Sequence, residues 1–367
     1  MQQRNSVSRR QFTRGGLLAG LGLVLMPLHA RVTRAASGIT YYTWAGYDVP
    51  DFHKAYDDKY GGEPNYSFFS DSEEAFQKLR QGFHPDLAHP CLPHVKRWKE
   101  AGLLKPVDPA RIAAWNDLVP AMRDNAGVAF DDAHWIVPWE WGASSLIYRT
   151  DKIAAAEETY ALLIDPANKG KVAIPDNTDE MAMLATLLAK VKDPYTLGEE
   201  DYKAIGAMME TLVGQSRFLW SDPTAAGQSM ASGEVTLMWG WPNTWADLVK
   251  NGTPVKFMQK PAEGMITWMC GFALIAGGEG PEDEAYDLIN ASLEPAAGKA
   301  LIEKYGYGHS NLKSFAEVDP KRLEALGMSG DVAGFLAKSN FLRARAEDQR
   351  QRLIELWNKA KTNAAVQ

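Results

Sequence analysis

The stretch Pro138-Trp139-Glu140-Trp141-Gly142-Ala143 sets one carboxylate between two tryptophans, with apolar runs before it (Trp135-Ile136-Val137) and after it (Leu146-Ile147-Tyr148). An indole face attracts an ammonium group by about 0.5–2 kcal/mol when both are out of water. A carboxylate buried beside such rings needs a partner, because an unpaired charge there is costly. Rings and acid together read as a receptor for a cation. Of the twelve tryptophans, Trp44, Trp139, Trp141, Trp239, Trp241 and Trp268 fall at expected strand ends or crossovers. With Tyr47 and Tyr307 they can line one gap. Trp98, Trp115, Trp245 and Trp357 are assigned to packing. Glu180, in Asp176-Asn177-Thr178-Asp179-Glu180, is a second candidate acid, although an acid in a first helical turn also simply suits the helix dipole.

Other chemistry leaves fewer marks. There is no G-x-S-x-G elbow, phosphate loop, dinucleotide glycine fingerprint or zinc-type cysteine pair, and no cofactor is expected. His84, His89 and His94 recur every five residues, a spacing that suits neither a helix face nor a strand face, and Pro85, Pro90 and Pro93 interrupt it. A metal-ion receptor is therefore a secondary reading. So is a secreted hydrolase using Glu140 and Glu180, since paired carboxylates are what a glycosidase needs. Cys91 and Cys270 can pair in an oxidising compartment or remain thiols, and the sequence leaves both open. If they sit on opposite rims of the gap, a disulfide would lock it.

The elements around these residues alternate. A strand over Ile39–Trp44 precedes a helix from Pro50 to Tyr60, closed by Gly61-Gly62. A strand over Asn65–Phe69, a helix capped by Ser72, a short strand at Asp86–Ala88 and a turn at Pro90–Pro93 follow. This β-α-β-α-β order is that of an open α/β sheet, where ligands bind at the carboxyl ends of strands, which places Trp44, Tyr47 and Cys91 at one rim. Residues 138–148 read as an extended crossover. Lys171–Pro175 and Gly233–Trp241 read as strands, Met181–Val191 and Glu282–Leu293 as helices, and Met265–Ile275 as a return crossover. Tyr305-Gly306-Tyr307-Gly308 is a turn near the gap, and Ala344–Lys361 is a helix with Leu353, Leu356 and Trp357 on one face.

At 367 residues the chain is too long for one ordinary core, so two domains are expected. Residues 1–36 read as a twin-arginine export signal: Ser8-Arg9-Arg10-Gln11-Phe12, an apolar run from Leu17 to Leu28, and Ala35-Ala36. That run is short for a membrane span. The segment holds six arginines and no acid, so its removal takes the formal net charge from −7 to −13. An acidic surface argues against nucleic acid and anionic lipid as partners.

The sequence resembles the periplasmic spermidine/putrescine-binding proteins of ABC importers. The resemblance rests on Tyr42-Thr43-Trp44-Ala45-Gly46-Tyr47, Asp86-Leu87 with Pro90, Ile136-Val137-Pro138 through Ala143, the Asp176–Glu180 helix start, Gly233-Glu234-Val235, Ile266-Thr267-Trp268 and Tyr305-Gly306-Tyr307. It implies a two-lobed periplasmic binding protein fold of type II, each lobe an open α/β sheet with helices on both faces. Lobe 1 would be 37–142 with about 271–335, and lobe 2 would be 143–270 with about 336–367. It also implies no catalysis, a small organic amine as ligand, an inner-membrane ABC permease as partner, and a monomer. A monocationic or zwitterionic amine is the alternative ligand. By resemblance, Trp44, Tyr47, Trp268 and Tyr307 pack on the ligand, Glu180 binds an ammonium group, and Trp239 or Trp241 matches a further family tryptophan. The departures are Cys270 and Asn177, where the family carries acids, and Leu92-Pro93, where it carries a tyrosine. Glu140 stands at a position usually apolar, and Arg343 falls roughly where the family has a neutral amide.

Overall fold

A computed structural model describes residues 38–70, 72–154 and 157–365. The export-signal stretch lies outside the described residues. Ala35–Gln367 forms one compact unit. Among the described residues, no helix is long and apolar enough to cross a membrane.

The first half follows the alternation expected. Strand β1 (Thr40–Trp44) buries Tyr41, Tyr42 and Thr43. A 3-10 turn at Pro50–Phe52 leads into α1 (Lys54–Tyr60), which Gly61 ends in the left-handed region at φ 70°. Then come β2 (Asn65–Phe69), α2 (Ser72–Arg80) and β3 (Leu87–Ala88). Strand β1 pairs in parallel with both β2 and β3. The expected turn at Pro90–Pro93 is instead a helix start: Cys91 is the N-cap of α3 (Leu92–Glu100). Pro93 fits there because a first-turn N–H has no helical partner to lose. A short α4 (Pro120–Arg123) and the hairpin β4 (Ala129–Phe130) and β5 (Ala133–His134) lead to β6 (Val137–Arg149). Twelve of the thirteen residues of β6 are buried. A strand covered on both faces reads as a nearly unbroken apolar run, which is why it was legible.

The second half holds β7 (Val172–Pro175), α5 (Thr178–Leu188), α6 (Glu199–Gln215), β8 (Ser216–Trp220) and α7 (Pro223–Ser232). The strand expected over Gly233–Trp241 is shorter. Gly233 closes α7 at φ 83°, β9 spans Leu237–Gly240, and Trp241 caps α8 (Pro242–Lys250). Next are β10 (Val255–Phe257), β11 (Ile266–Leu274), α9 (Glu282–Ser292), α10 (Pro295–Tyr305) and β12 (Gly308–His309). The chain ends through α11 (Pro320–Ala325), α12 (Val332–Ala337), β13 (Asn340–Phe341) and α13 (Glu347–Ala365). Leu353 and Trp357 of α13 are buried in the core that α5 and α6 share.

The sheet order is β2-β1-β3-β11-β6-β9-β7-β8. Strands β6 and β11 run antiparallel through its middle, and both serve two halves of the molecule. Trp141 and Met269 pack in a core with β1 and α3 residues, whereas Ala143 and Ile266 join cores built on β7 and β9 residues. The long pair thus passes from one set of cores to another within a few residues.

Candidate functional site

Glu140 owes its position to an irregularity in the central pair. Cys270 lies opposite Glu140, but the next residue, Gly271, lies opposite Pro138, so Trp139 is an extra residue in β6. Such a bulge turns neighbouring side chains to one side. Gly271 permits it, since a Cβ there would stand 2.1 Å from the Val137 carbonyl oxygen. Trp139 and Glu140 consequently meet the same two residues. The Trp139 ring centroid is 5.7 Å from that of Tyr47 and 4.9 Å from that of His89. Tyr47 Oη donates to Glu140 Oε1 at 2.6 Å, and His89 Nε2 lies 3.4 Å from the same oxygen. His89 in turn has Thr43 Oγ1 at 3.0 Å from Nδ1, and its carbonyl accepts from Trp44 Nε1 at 3.0 Å. Glu140 Oε2 and His89 Nε2 are buried and have no hydrogen-bond partner. A buried polar atom left unpaired is uncommon and asks for a cause. Burial, and then the charge of Glu140, push the Tyr47 phenol well above its ordinary range.

Cys91 and Cys270 are joined in a disulfide. They do not face each other across a gap. Ala88 pairs with Ala273, and the Cys91–Cys270 bridge continues that ladder, so the bond ties neighbouring strands on one side of the molecule. A lock between opposite rims is not what it builds. With its sulfur bonded, Cys270 has no thiol to offer a ligand.

Glu180 is held differently. It sits in the first turn of α5, where the Asn177 side chain accepts from the Glu180 backbone N–H at 3.0 Å. Asn177 therefore serves as the helix cap. Trp239 Nε1 donates to Glu180 Oε2 at 2.8 Å and Trp241 Nε1 donates to Oε1 at 3.1 Å. Trp241 Nε1 also reaches Ser144 Oγ at 3.1 Å. The carboxylate is only 5% exposed. Burial raises its pKa above the ordinary value, against the pull of the two indoles and Ser144.

A run of rings leads away from Glu140. Tyr47 meets Tyr305 at 5.4 Å between centroids, Tyr305 meets Tyr307 at 5.8 Å, and Tyr307 stands edge-on to Trp268 at 4.8 Å. Trp268 lies over Gly142, where a Cβ would come within 2.1 Å of the ring. Burial raises the Tyr307 phenol, and the charges of Glu140 and Glu180 both add to the rise, so it senses both acids. Trp44 stands behind His89, with its ring 4.5 Å from Phe69. Trp141, beyond the bulge, goes elsewhere: it packs over Gly308 and lies 5.9 Å from the Phe335 ring. Arg343 stacks on Tyr195 at 4.1 Å. The sequence reading missed His89, Thr43, Tyr305 and Ser144 as members. His89 carried a usable signal, because it directly follows the third strand at the carboxyl-end rim. His89, Glu140 and Cys270 also place possible metal-donor atoms within 4.8 Å of one another.

An α/β molecule whose long central strands serve two sets of cores, with buried acids and rings gathered about them, has the architecture of the type II periplasmic binding proteins. A model of the family described as bacterial extracellular solute-binding protein matches residues 51–327. The chain belongs to that family. It is 26% identical over 290 residues to the putrescine-binding periplasmic protein PotF of Escherichia coli K12, covering 74% of this chain and 77% of that one. It is 25% identical over 317 residues to the spermidine/putrescine-binding periplasmic protein of the same organism, covering 85% and 88%. The spermidine/putrescine ABC transporter substrate-binding protein PotD of Streptococcus pneumoniae superposes with a TM-score of 0.77 at 17% identity, covering 90% of this chain and 100% of that one.

Proposed function

We propose that this protein is the periplasmic receptor of an ABC importer, exported by its twin-arginine signal, and that it captures a small organic amine of polyamine type. One observation carries the ligand class: of two buried acids, one has an unpaired oxygen at the start of a run of aromatic rings and the other is held by two indole N–H groups. An ammonium group supplies the charge and the donors that Glu140 Oε2 lacks, and a second one suits Glu180. The two relatives' names carry polyamines as well. Resemblance puts a family acid at Cys270, and Glu140 is the cross-strand partner of Cys270, so an acid is kept at nearly the same place from the neighbouring strand. Trp44, Tyr47, Trp268 and Tyr307 would wall the ligand. Trp239 and Trp241 would hold Glu180 in place rather than touch the ligand.

Lobe 1 would comprise 37–142 with about 271–335, and lobe 2 the remainder. The passage from Trp141 to Ala143 between cores supports the first division, and Phe341 and Leu342, which belong to different cores, draw the last one slightly later. The lobes would close about β6 and β11, trap the amine, and present it to a permease without chemical change. The receptor would act as a monomer. A calorimetric screen of putrescine, spermidine, agmatine, choline, betaine and free amino acids tests the reading. A diamine is expected to bind at about micromolar Kd or tighter, and no amine binding below roughly millimolar would overturn it. Preference for choline or betaine would move the ligand to a monocation or zwitterion.

A further inference from the structure

We propose that reduction of the Cys91–Cys270 disulfide converts the Glu140 end of the site into a tetrahedral zinc site with the donors Cys91, Cys270, His89 and Glu140. Donor atoms of His89, Glu140 and Cys270 already lie within 4.8 Å of one another. Cys91 Sγ is bonded to Cys270 Sγ and therefore sits beside them. Structural zinc takes four such ligands at about 2.0–2.3 Å. That places neighbouring donors roughly 3.3–3.8 Å apart, so His89, Glu140 and Cys270 draw in by about an ångström while the two freed sulfurs part from bonding distance to about 3.8 Å.

Two details prepare the site. Glu140 Oε2 and His89 Nε2 are buried without hydrogen-bond partners, while Glu140 Oε1 accepts from Tyr47 and His89 Nδ1 faces Thr43 Oγ1. With Nδ1–H donating to Thr43, Nε2 carries the lone pair that a metal ligand needs. Outer partners of this kind orient first ligands and sharpen affinity. The disulfide withholds the other two donors. A dithiol reductant opens it: the reductant closes to its own disulfide, two electrons and two protons pass to the protein sulfurs, and Cys91 and Cys270 become thiols. Zinc then displaces both thiol protons and binds the thiolates.

The test uses the full chain, reduced with dithiothreitol and freed of it under inert gas. Zinc is titrated against a chromophoric chelator, and cobalt is added separately because thiolate ligation gives it an intense near-ultraviolet band. Reduction is expected to yield about one zinc per chain, held at least roughly tenfold tighter than by the oxidised protein, with the cobalt band present only after reduction. His89→Gln should lose that gain while keeping both thiols. Equal zinc affinity in both redox states, or full affinity in His89→Gln, would overturn the proposal. If reduction flattens the near-ultraviolet circular dichroism, recovery on adding zinc supports the site and failure to recover counts against it. No amine is present, so the outcome is independent of the receptor reading.

Discussion

Glu140 and Glu180 are both buried acids of one candidate site, yet they are built in opposite ways. Each oxygen of Glu180 accepts from an indole N–H, and the residue is fixed at a capped helix start. Glu140 has one phenol donor and one oxygen with nothing to accept from, beside an imidazole nitrogen in the same condition. The first is a carboxylate whose position is settled before any ligand arrives. The second is incomplete until something arrives. Leaving a buried acceptor unpaired costs about 1–3 kcal/mol, so the free protein carries a standing deficit at Glu140 that a cation can remove.

The largest effect should come from Glu180→Gln. It removes the charge that two indoles are arranged to hold, and amine affinity is expected to fall about 100-fold, since breaking a buried charge pair costs about 2–5 kcal/mol. Calorimetry checks this, and a loss under threefold would erase the distinction drawn for Glu180. Glu140→Gln should behave otherwise. Affinity falls less, by about tenfold, while the ligand-free protein gains roughly 1 kcal/mol, because a neutral amide is cheaper to bury than a carboxylate with an unpaired oxygen and Tyr47 still finds an acceptor. Denaturant unfolding without ligand reads the gain. A free protein destabilised by Glu140→Gln would mean that Glu140 is already satisfied, and the two acids would then be alike.

Much of the scaffold around these acids could be read in advance because its signals are local. β-branched and aromatic runs marked β1, β2 and β7, and the long apolar crossovers became β6 and β11. Trp357 and Leu353 set the docked face of α13 through their helical spacing. What failed was nonlocal. The bulge at Trp139 depends on Gly271 across the ladder, and it turns Trp139 to the side of Glu140, while Trp141 lies on the other face by ordinary strand alternation. His89 acquires its role from Tyr47 and Glu140, which lie far along the chain, and not from His84 or His94. Asn177, where the resemblance places an acid, caps α5 with its side chain, and that local helix signal accounts for where the side chain goes. The pairing of Cys91 with Cys270 followed from β3 and β11 being neighbours, which no spacing revealed.

Burial raises the pKa of Glu180 above the ordinary 4.5. The raised value means the folded chain holds this proton more tightly than the unfolded chain, so the contribution to stability is present below about 4.5 and is lost as pH rises through the folded value. A ligand ammonium reverses the preference and ionises the acid. Amine binding in mildly acidic buffer should therefore release protons, measured by calorimetry in buffers of different ionisation enthalpy. Net release that disappears in Glu180→Gln is the expected result, and amine binding with no proton release at any mildly acidic pH would contradict a buried acid waiting for a cation.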